Sequence, residues 1–117
     1  MLDKKEIKRQ YKQTIQPMGI YQIKNLANGK IFISSSKNLN AVFNSSRLQL
    51  KTGTFINREL QNDFTENGEA NFSFDVLDRL EPKDDLKYDY TDDLKVLEEM
   101  WLEKLQPYDL KGYHKQR

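Results

Sequence analysis

Apolar residues that favour β-strands cluster in two short stretches near the start of the chain, residues 20–23 and 31–33. Between them lies Asn28-Gly29, a dipeptide typical of the two-residue type I′ turn, in which both residues have positive φ. The pattern predicts a β-hairpin. Because its strands carry apolar side chains on both faces, we expect helices to cover both sides of the sheet.

Two stretches after the hairpin have the spacing of amphipathic helices. The first has apolar residues at 39, 43, 48 and 50, follows three serines at 34–36 that can serve as N-caps, and ends at Gly53. The second runs from about 56 to 66, with apolar residues at 56, 60 and 64, and ends at Gly68. We therefore expect two consecutive helices.

A third strand and a last helix are predicted in the second half of the chain. Apolar and polar residues alternate from 72 to 76, which is the period of a strand. Acidic residues crowd 81–93 and predict a solvated loop, and a leucine stripe with Trp101 predicts a helix over 92–105, before Pro107. With a thin amphipathic helix over about 3–13, the expected order is α-β-β-α-α-β-α.

Composition limits the classes of function. The 117 residues suit one domain, and 19 Lys and Arg against 18 Asp and Glu give a net charge of +1, so the strong basicity of many nucleic-acid-binding proteins is missing. The absence of cysteine excludes a disulfide, a thiol nucleophile and a thiolate zinc site. No apolar run approaches a membrane span and the charged N-terminus lacks a signal-peptide core, so we expect a soluble, cytoplasmic protein without a membrane partner.

Seven segments occur in a recognisable order: GIYQIKN, NGKIFI, LKTG, NRELQNDF, FSFDVL, LEEMWLEKLQP and GYH. In this content and spacing the chain resembles the GIY-YIG nuclease family from Gly19 to about His114. The resemblance implies an α+β fold with a small three-stranded antiparallel sheet flanked by helices. With the helix predicted near the start, we expect an N-terminal helical extension, 1–17, before a single GIY-YIG-like domain, 18–117. The chain resembles small bacterial proteins that carry this domain alone.

The resemblance to this family implies single-metal phosphodiester hydrolysis. In that chemistry a tyrosine acts on the attacking water, a helix arginine holds the scissile phosphate and a glutamate binds Mg²⁺, a hard cation that prefers oxygen ligands. Tyr21 falls on the first-motif tyrosine and Glu98 on the metal-binding glutamate. The resemblance therefore assigns a catalytic role to Tyr21 and the Mg²⁺ site to Glu98.

Other family positions carry different residues here. Val42 stands where the family helix has its arginine, and Phe32 keeps the ring of the second tyrosine without its hydroxyl. Four further departures replace the motif's glycine, two histidines and the asparagine of the closing GYN: Ser34, Ser46, Phe55 and His114. Val42 and Ser46 share one helix face, which is therefore uncharged, while Arg47 points roughly 140° away from Val42.

Nearby residues are candidates for the missing chemistry. Lys30, beside the hairpin turn, is a candidate catalytic cation, and Lys37, at the start of the helix, is a candidate substrate-binding cation. Neither has the two-point fork of arginine. Asn57, in the segment that matches the family's N..LQ helix, is a further candidate for substrate binding. Because an arginine that clamps a phosphoryl group can be worth about 10³- to 10⁵-fold, we expect very weak or absent cleavage.

Three functional interpretations remain open. The leading one is a nuclease-family domain with a degraded catalytic centre that binds nucleic acid weakly. The second is an active Mg²⁺-dependent endonuclease that uses Tyr21 and Glu98. The third is a regulatory module that binds another protein through an exposed apolar patch around Val42 and Phe55. At the level of single residues, Tyr21 can equally be a packing aromatic, and Glu98 a surface residue paired with Lys95.

Overall fold

The computed structural model of the protein describes residues 16–83, 85 and 87–115. The helix predicted over 3–13 lies outside these residues. Three strands and three helices follow one another as β1 (Met18–Asn25), β2 (Ile31–Ser36), α1 (Leu39–Thr52), α2 (Arg58–Asn67), β3 (Phe72–Leu80) and α3 (Thr91–Leu105). The described part of the chain therefore has the predicted order. None of its helices is both long and apolar enough to cross a membrane.

The three strands form one antiparallel sheet in the order β2-β1-β3. Tyr21, in the central strand, pairs with Ser34 of β2 and Val76 of β3. On the β3 side the register shifts between Ile20 and Tyr21, which leaves Leu77 as the extra residue of a β-bulge. This architecture confirms the α+β fold with a three-stranded antiparallel sheet.

The hairpin is confirmed, but its turn is wider than predicted. The Asn25 N–H donates to the Lys30 carbonyl at 2.9 Å, so residues 26–29 form the loop. Gly29 has a φ of 78°, whereas Asn28 has negative φ and accepts the Lys30 N–H through its side chain at 2.9 Å. The type I′ prediction is therefore wrong, because that turn requires positive φ at both residues. The Asn28 side chain stabilises a longer turn instead.

The starts of α1 and α2 differ from the predicted ones. Asn38 caps α1, because its side chain accepts a backbone N–H of the first turn at 3.0 Å. The serines at 34–36 lie in β2, where they pair with β1. Asn57 caps α2 in the same way, so that helix begins at Arg58 rather than at 56. Both helices end at the predicted glycines.

Helices cover both faces of the sheet, as predicted. On one face, α1 and α2 pack leucines against Tyr21 and Ile23. Met18, three residues before Tyr21 and therefore on the opposite face, packs against Leu94 of α3 and against Tyr90. Tyr90 is only 6% exposed, so an aromatic side chain anchors the end of the acidic loop.

Two residues assigned to apolar helix faces are exposed instead. Leu48 is 64% exposed, and Ile56, which precedes α2, is 86% exposed. Ser46 is buried on α1, at 3% exposure. The inner face of α1 is therefore less apolar than the periodicity predicted, and its polar member points towards the sheet centre.

Candidate active site

Tyr21 is buried in the middle of the sheet. Only 6% of the residue is exposed, and its ring meets that of Phe43 edge to face at 5.8 Å. Burial raises the pKa of the Tyr21 hydroxyl, hydrogen bonds with Ser34 and Ser46 act in the opposite direction, and the charge of Glu98 raises it further. Because the ordinary value is already about 10, the hydroxyl keeps its proton at neutral pH.

Two of the departures from the family pattern meet at this hydroxyl. Ser34 comes from β2 and Ser46 from α1, and both hydrogen-bond to Tyr21. Serine hydroxyls donate and accept hydrogen bonds but do not titrate near neutral pH as histidine does. The immediate surroundings of Tyr21 are therefore neutral hydroxyls, with the Glu98 carboxylate as the neighbouring charge that acts on its pKa.

The two cations of helix α1 lie beside Glu69. Val42 is half-buried and packs against the core cluster that contains Tyr21 and Phe55. The Arg47 guanidinium lies over the Phe74 ring at 4.3 Å from its centroid, and its Nε is 3.7 Å from Glu69. The other cation of this helix, Lys51, also pairs with Glu69, at 3.3 Å. Val42, where the resemblance implies an arginine, thus packs against the apolar core.

Three more departures form what we call the aromatic cluster: Phe32, Phe55 and His114. The rings of Phe32 and Phe55 meet edge to face at 5.4 Å, and the His114 imidazole stacks on Phe32 at 5.2 Å with an interplanar angle of 8°. The Ile33 N–H donates to His114 Nε2 at 2.8 Å. Burial lowers the pKa of His114, so the imidazole is neutral at pH 7.

The apolar patch expected around Val42 and Phe55 is not at the surface. Phe55 is only 6% exposed and Val42 is half-buried against the same core, which counts against this part of the protein-interaction interpretation. Within the described ranges, the large apolar side chains that are exposed lie elsewhere: Leu26, Leu48, Ile56, Val96, Met100 and Leu110.

The two candidate lysines are engaged by acidic groups. Lys30 forms a salt bridge with Glu59 and lies 5.6 Å from the centroid of the Tyr113 ring. Lys30 precedes Ser34, the residue of β2 that pairs with Tyr21, by four residues, or roughly 13 Å along an extended strand. Lys37 donates to the Thr91 hydroxyl at 3.0 Å, and its Nζ is 3.7 Å from Asp89. Neither contact orients a lysine towards Tyr21.

Asn57 has a structural role at the start of α2. Its Oδ1 accepts the Leu60 N–H at 3.0 Å, and its Nδ2 donates to the Tyr113 carbonyl at 2.9 Å. The side chain thus joins the helix to the C-terminal residues through both of its polar atoms. A role in substrate binding stays a prediction.

Tyr113 ends a buried polar network that the sequence did not indicate. Asn25, with 0% exposure, donates from Nδ2 to the Tyr113 hydroxyl at 3.1 Å, and that hydroxyl donates to Asp63 Oδ2 at 2.7 Å. Burial raises the pKa of Tyr113, and the Asp63 carboxylate raises it further. The network connects the hairpin, α2 and the C-terminal residues.

Replacing Tyr113 with phenylalanine is expected to lower the free energy of unfolding by about 1–3 kcal/mol, because the buried Asn25 amide loses its acceptor. Urea unfolding followed by the fluorescence of Trp101, the single tryptophan, measures the change. Tyr108→Phe removes a hydroxyl that has no hydrogen bond to a described residue and is the matched control, expected to change stability by less than about 0.5 kcal/mol. Equal losses in the two variants would contradict the role of the network.

Comparison with known proteins supports the fold. One matching solved structure is the catalytic domain of the homing endonuclease I-TevI, with 25% sequence identity and a TM-score of 0.70, over 86% of this chain and 99% of that one. A mutant of the catalytic domain of intron endonuclease I-TevI matches with 24% identity and a TM-score of 0.70, over 85% of this chain and 93% of that one. The chain thus has a GIY-YIG-like fold. No protein-family profile and no curated protein matches it.

Proposed function

We propose that this chain is a GIY-YIG-type domain whose catalytic centre is degraded, so that it binds nucleic acid weakly and cleaves it very slowly or not at all. The observation that carries the proposal is the place of Val42, which packs against the apolar core at the position where the family has its arginine. Phosphodiester cleavage builds up negative charge in the transition state, and a clamping arginine is worth about 10³- to 10⁵-fold in rate. Valine supplies none of that stabilisation.

The state of Tyr21 supports the same proposal. A general base works best when its pKa lies near the working pH. Burial and the Glu98 carboxylate instead raise the pKa of Tyr21 above its ordinary value, which is further from neutral pH. A proton from an attacking water therefore has no ready acceptor at this hydroxyl.

The aromatic cluster is a third support. Phe32, Phe55 and His114 stand where the resemblance implies a tyrosine, a histidine and an asparagine, and here Phe32 meets Phe55 edge to face and stacks on His114. Stacked rings and a neutral imidazole that already accepts the Ile33 N–H contribute packing rather than charge. The residues at these positions stabilise the fold and not a phosphorane-like transition state.

Glu98 fits a Mg²⁺ site that has few ligands from the protein. Within the described ranges, no group of three or more His, Cys, Asp or Glu side chains has a spacing that could hold a metal ion. Mg²⁺ nevertheless binds many sites through one or two carboxylates and completes its shell with water and substrate phosphates. Glu98 would be its protein ligand, and a bound Mg²⁺ would supply Lewis-acid polarisation of a phosphate oxygen.

Weak binding of nucleic acid is the activity that we assign to the domain. It is supported by the fold that the chain shares with the catalytic domain of an endonuclease. The net charge is only +1, and Lys30, Lys37 and Arg47 all lie beside acidic side chains. Few phosphates can then be neutralised, so the affinity should be low and should depend only shallowly on salt concentration.

The cleavage test compares wild type with Glu98→Ala on single- and double-stranded DNA and on RNA, with Mg²⁺ and with Mn²⁺. We expect both proteins to stay at the rate of the buffer blank, because the transition-state cation is missing. Glu99→Ala is the matched control, since Glu99 lines the same cleft of about 360 Å³ beside Glu98.

Cleavage by wild type and Glu99→Ala that disappears in Glu98→Ala would overturn the proposal. It would favour the active Mg²⁺-dependent enzyme, in which Lys30 or Lys37 leaves its acidic partners to replace the arginine. Cleavage that persists in all three proteins would identify a contaminating nuclease.

A further inference from the structure

The C-terminal segment, residues 107–115, lies along the outer edge of β2. The Tyr113 N–H donates to the Ile31 carbonyl at 3.0 Å, and Ile31 also forms a bridge with Gly112. Within the segment, the His114 N–H donates to the Pro107 carbonyl at 3.0 Å, which folds the end of the segment back on its start. Because β2 is an edge strand, the segment covers backbone groups that would otherwise face solvent.

The His114 side chain closes this arrangement. Its Nε2 accepts the Ile33 N–H at 2.8 Å, and its ring stacks on Phe32. A ring nitrogen that accepts a hydrogen bond carries no proton, so the imidazole is the neutral form with its proton on Nδ1. The contact between the segment and β2 therefore depends on the protonation state of one group.

We propose that His114 is a pH-operated latch, which holds the end of the C-terminal segment on β2 when it is neutral and releases it when it is protonated. A proton on Nε2 turns the acceptor into a donor that faces the Ile33 N–H. Release exposes the Phe32 ring and the Ile33 N–H at the edge of the sheet. An aromatic ring does not repel a cation, so stacking on Phe32 does not oppose the protonation of His114. The pH sensitivity of the contact therefore comes from the hydrogen bond at Nε2 and from burial.

Charged groups of both signs line the cleft that contains the imidazole. Arg58 and Glu59 of α2, Asp109 of the preceding turn, and Tyr113 and Lys115 of the segment line the same cleft of about 630 Å³ as His114. Arg58 and Lys115 disfavour a second cation, Asp109 favours it, and Glu59 is paired with Lys30. From β2, Phe32 and Ile33 present no titratable side chain.

The direction of the pH dependence follows from linkage. Burial lowers the pKa of His114 in the folded protein, whereas a released histidine titrates near 6.5. The released form therefore binds the proton more readily. The latch has its full strength above about pH 6.5 and loses it as the pH falls through the lower value of the folded state.

The release is local, because Tyr113 holds the segment independently of His114. Its hydroxyl bonds to Asp63, and its carbonyl accepts from Asn57. These contacts do not involve the imidazole. The described residues that respond to acid are therefore His114, Lys115 and the two residues of β2 that His114 covers.

Solution NMR on the full chain between pH 4.5 and 8 tests the latch. The chain has one histidine, so its imidazole resonances belong to His114 without ambiguity. We expect an imidazole midpoint below 6.5, and the Ile33 amide and Phe32 ring resonances should move with the same midpoint. A midpoint at or above 6.5, or an Ile33 amide that does not follow the imidazole, would overturn the proposal.

Two variants distinguish the titration of His114 from the effect of a neighbouring charged group. His114→Gln keeps an acceptor but cannot titrate in this range. The pH-dependent step, by which we mean the movement of the Ile33 amide and Phe32 ring resonances, should therefore disappear. Asp109→Asn removes the carboxylate from the same cleft at a residue with φ of 55°, which asparagine tolerates, and should keep the step. The latch is wrong if the step survives in His114→Gln, is lost in Asp109→Asn, or coincides with movement of all amides, which indicates global unfolding.

Discussion

Replacing Gly19 with alanine is expected to destabilise the domain by about 3 kcal/mol, the upper end of overpacking effects. A Cβ at this position would lie 2.0 Å from the carbonyl oxygen of Asp78 and 2.8 Å from the Cα of Arg79. Both are backbone atoms of the paired strand β3, so no side-chain rotation relieves the contact. The central strand or its neighbour must move, beside the bulge that follows Ile20.

The matched control for this variant is Gly53→Ala at the end of α1. Gly53 has a φ of 79°, but nothing lies within 4 Å of the position of its Cβ. The expected loss is only the cost of a left-handed residue, about 1–2 kcal/mol. Urea unfolding of both variants, followed by Trp101 fluorescence, measures the difference. A loss for Gly19→Ala that is no larger than that of Gly53→Ala would contradict the close approach of the strands.

The largest functional effect is expected from Val42→Arg. If the scaffold lacks its phosphate clamp, a guanidinium at this position should raise Mg²⁺-dependent cleavage of DNA at least about 10²-fold above the rate of wild type, because one transition-state donor has that value. Arginine can reach past the half-buried position of Val42, since its aliphatic stem packs against apolar neighbours. The initial rate of cleavage of double-stranded DNA is the measurement.

Two further substitutions at position 42 give this prediction its controls. Val42→Lys supplies charge without the two-point fork and should gain less than arginine. Val42→Met changes the packing without charge and should gain nothing. Adding Glu98→Ala to Val42→Arg should remove the gain. A folded Val42→Arg protein that remains at the blank rate would contradict the prediction and show that the other departures suffice to abolish cleavage.

The local pattern of the sequence predicted most of the fold. Strand propensity and alternation located the three strands, and helical spacing with terminal glycines located the helices that end at Thr52 and Asn67. The turn at 26–29 and the cap of α1 were wrong in detail. In both places an asparagine side chain accepts a backbone N–H. Such bonds depend on the exact path of the backbone, which periodicity does not specify.

The site was predicted less completely, because its contacts join distant parts of the chain. Asn25 and Tyr113, which share a hydrogen bond, are 88 residues apart, and Tyr113 and Asp63 are 50 apart. The sequence identified Tyr113 only as part of the closing GYH segment and gave no signal for its buried partners. The stacking of His114 on Phe32 was likewise not predicted, since a lone histidine near the end of the chain has no periodic pattern.

By itself, the sequence determined the order of the elements and the residue types at the family positions, including valine where a cation is expected. Those properties depend on backbone propensities and on side-chain chemistry, which are local. Only the tertiary structure decided that Val42 and Phe55 lie in or against the core, that two serines meet at Tyr21, and that Lys30 and Lys37 lie beside acids. The physical reason is that burial and electrostatic neighbours are set by how the sheet, the helices and the C-terminal segment pack together.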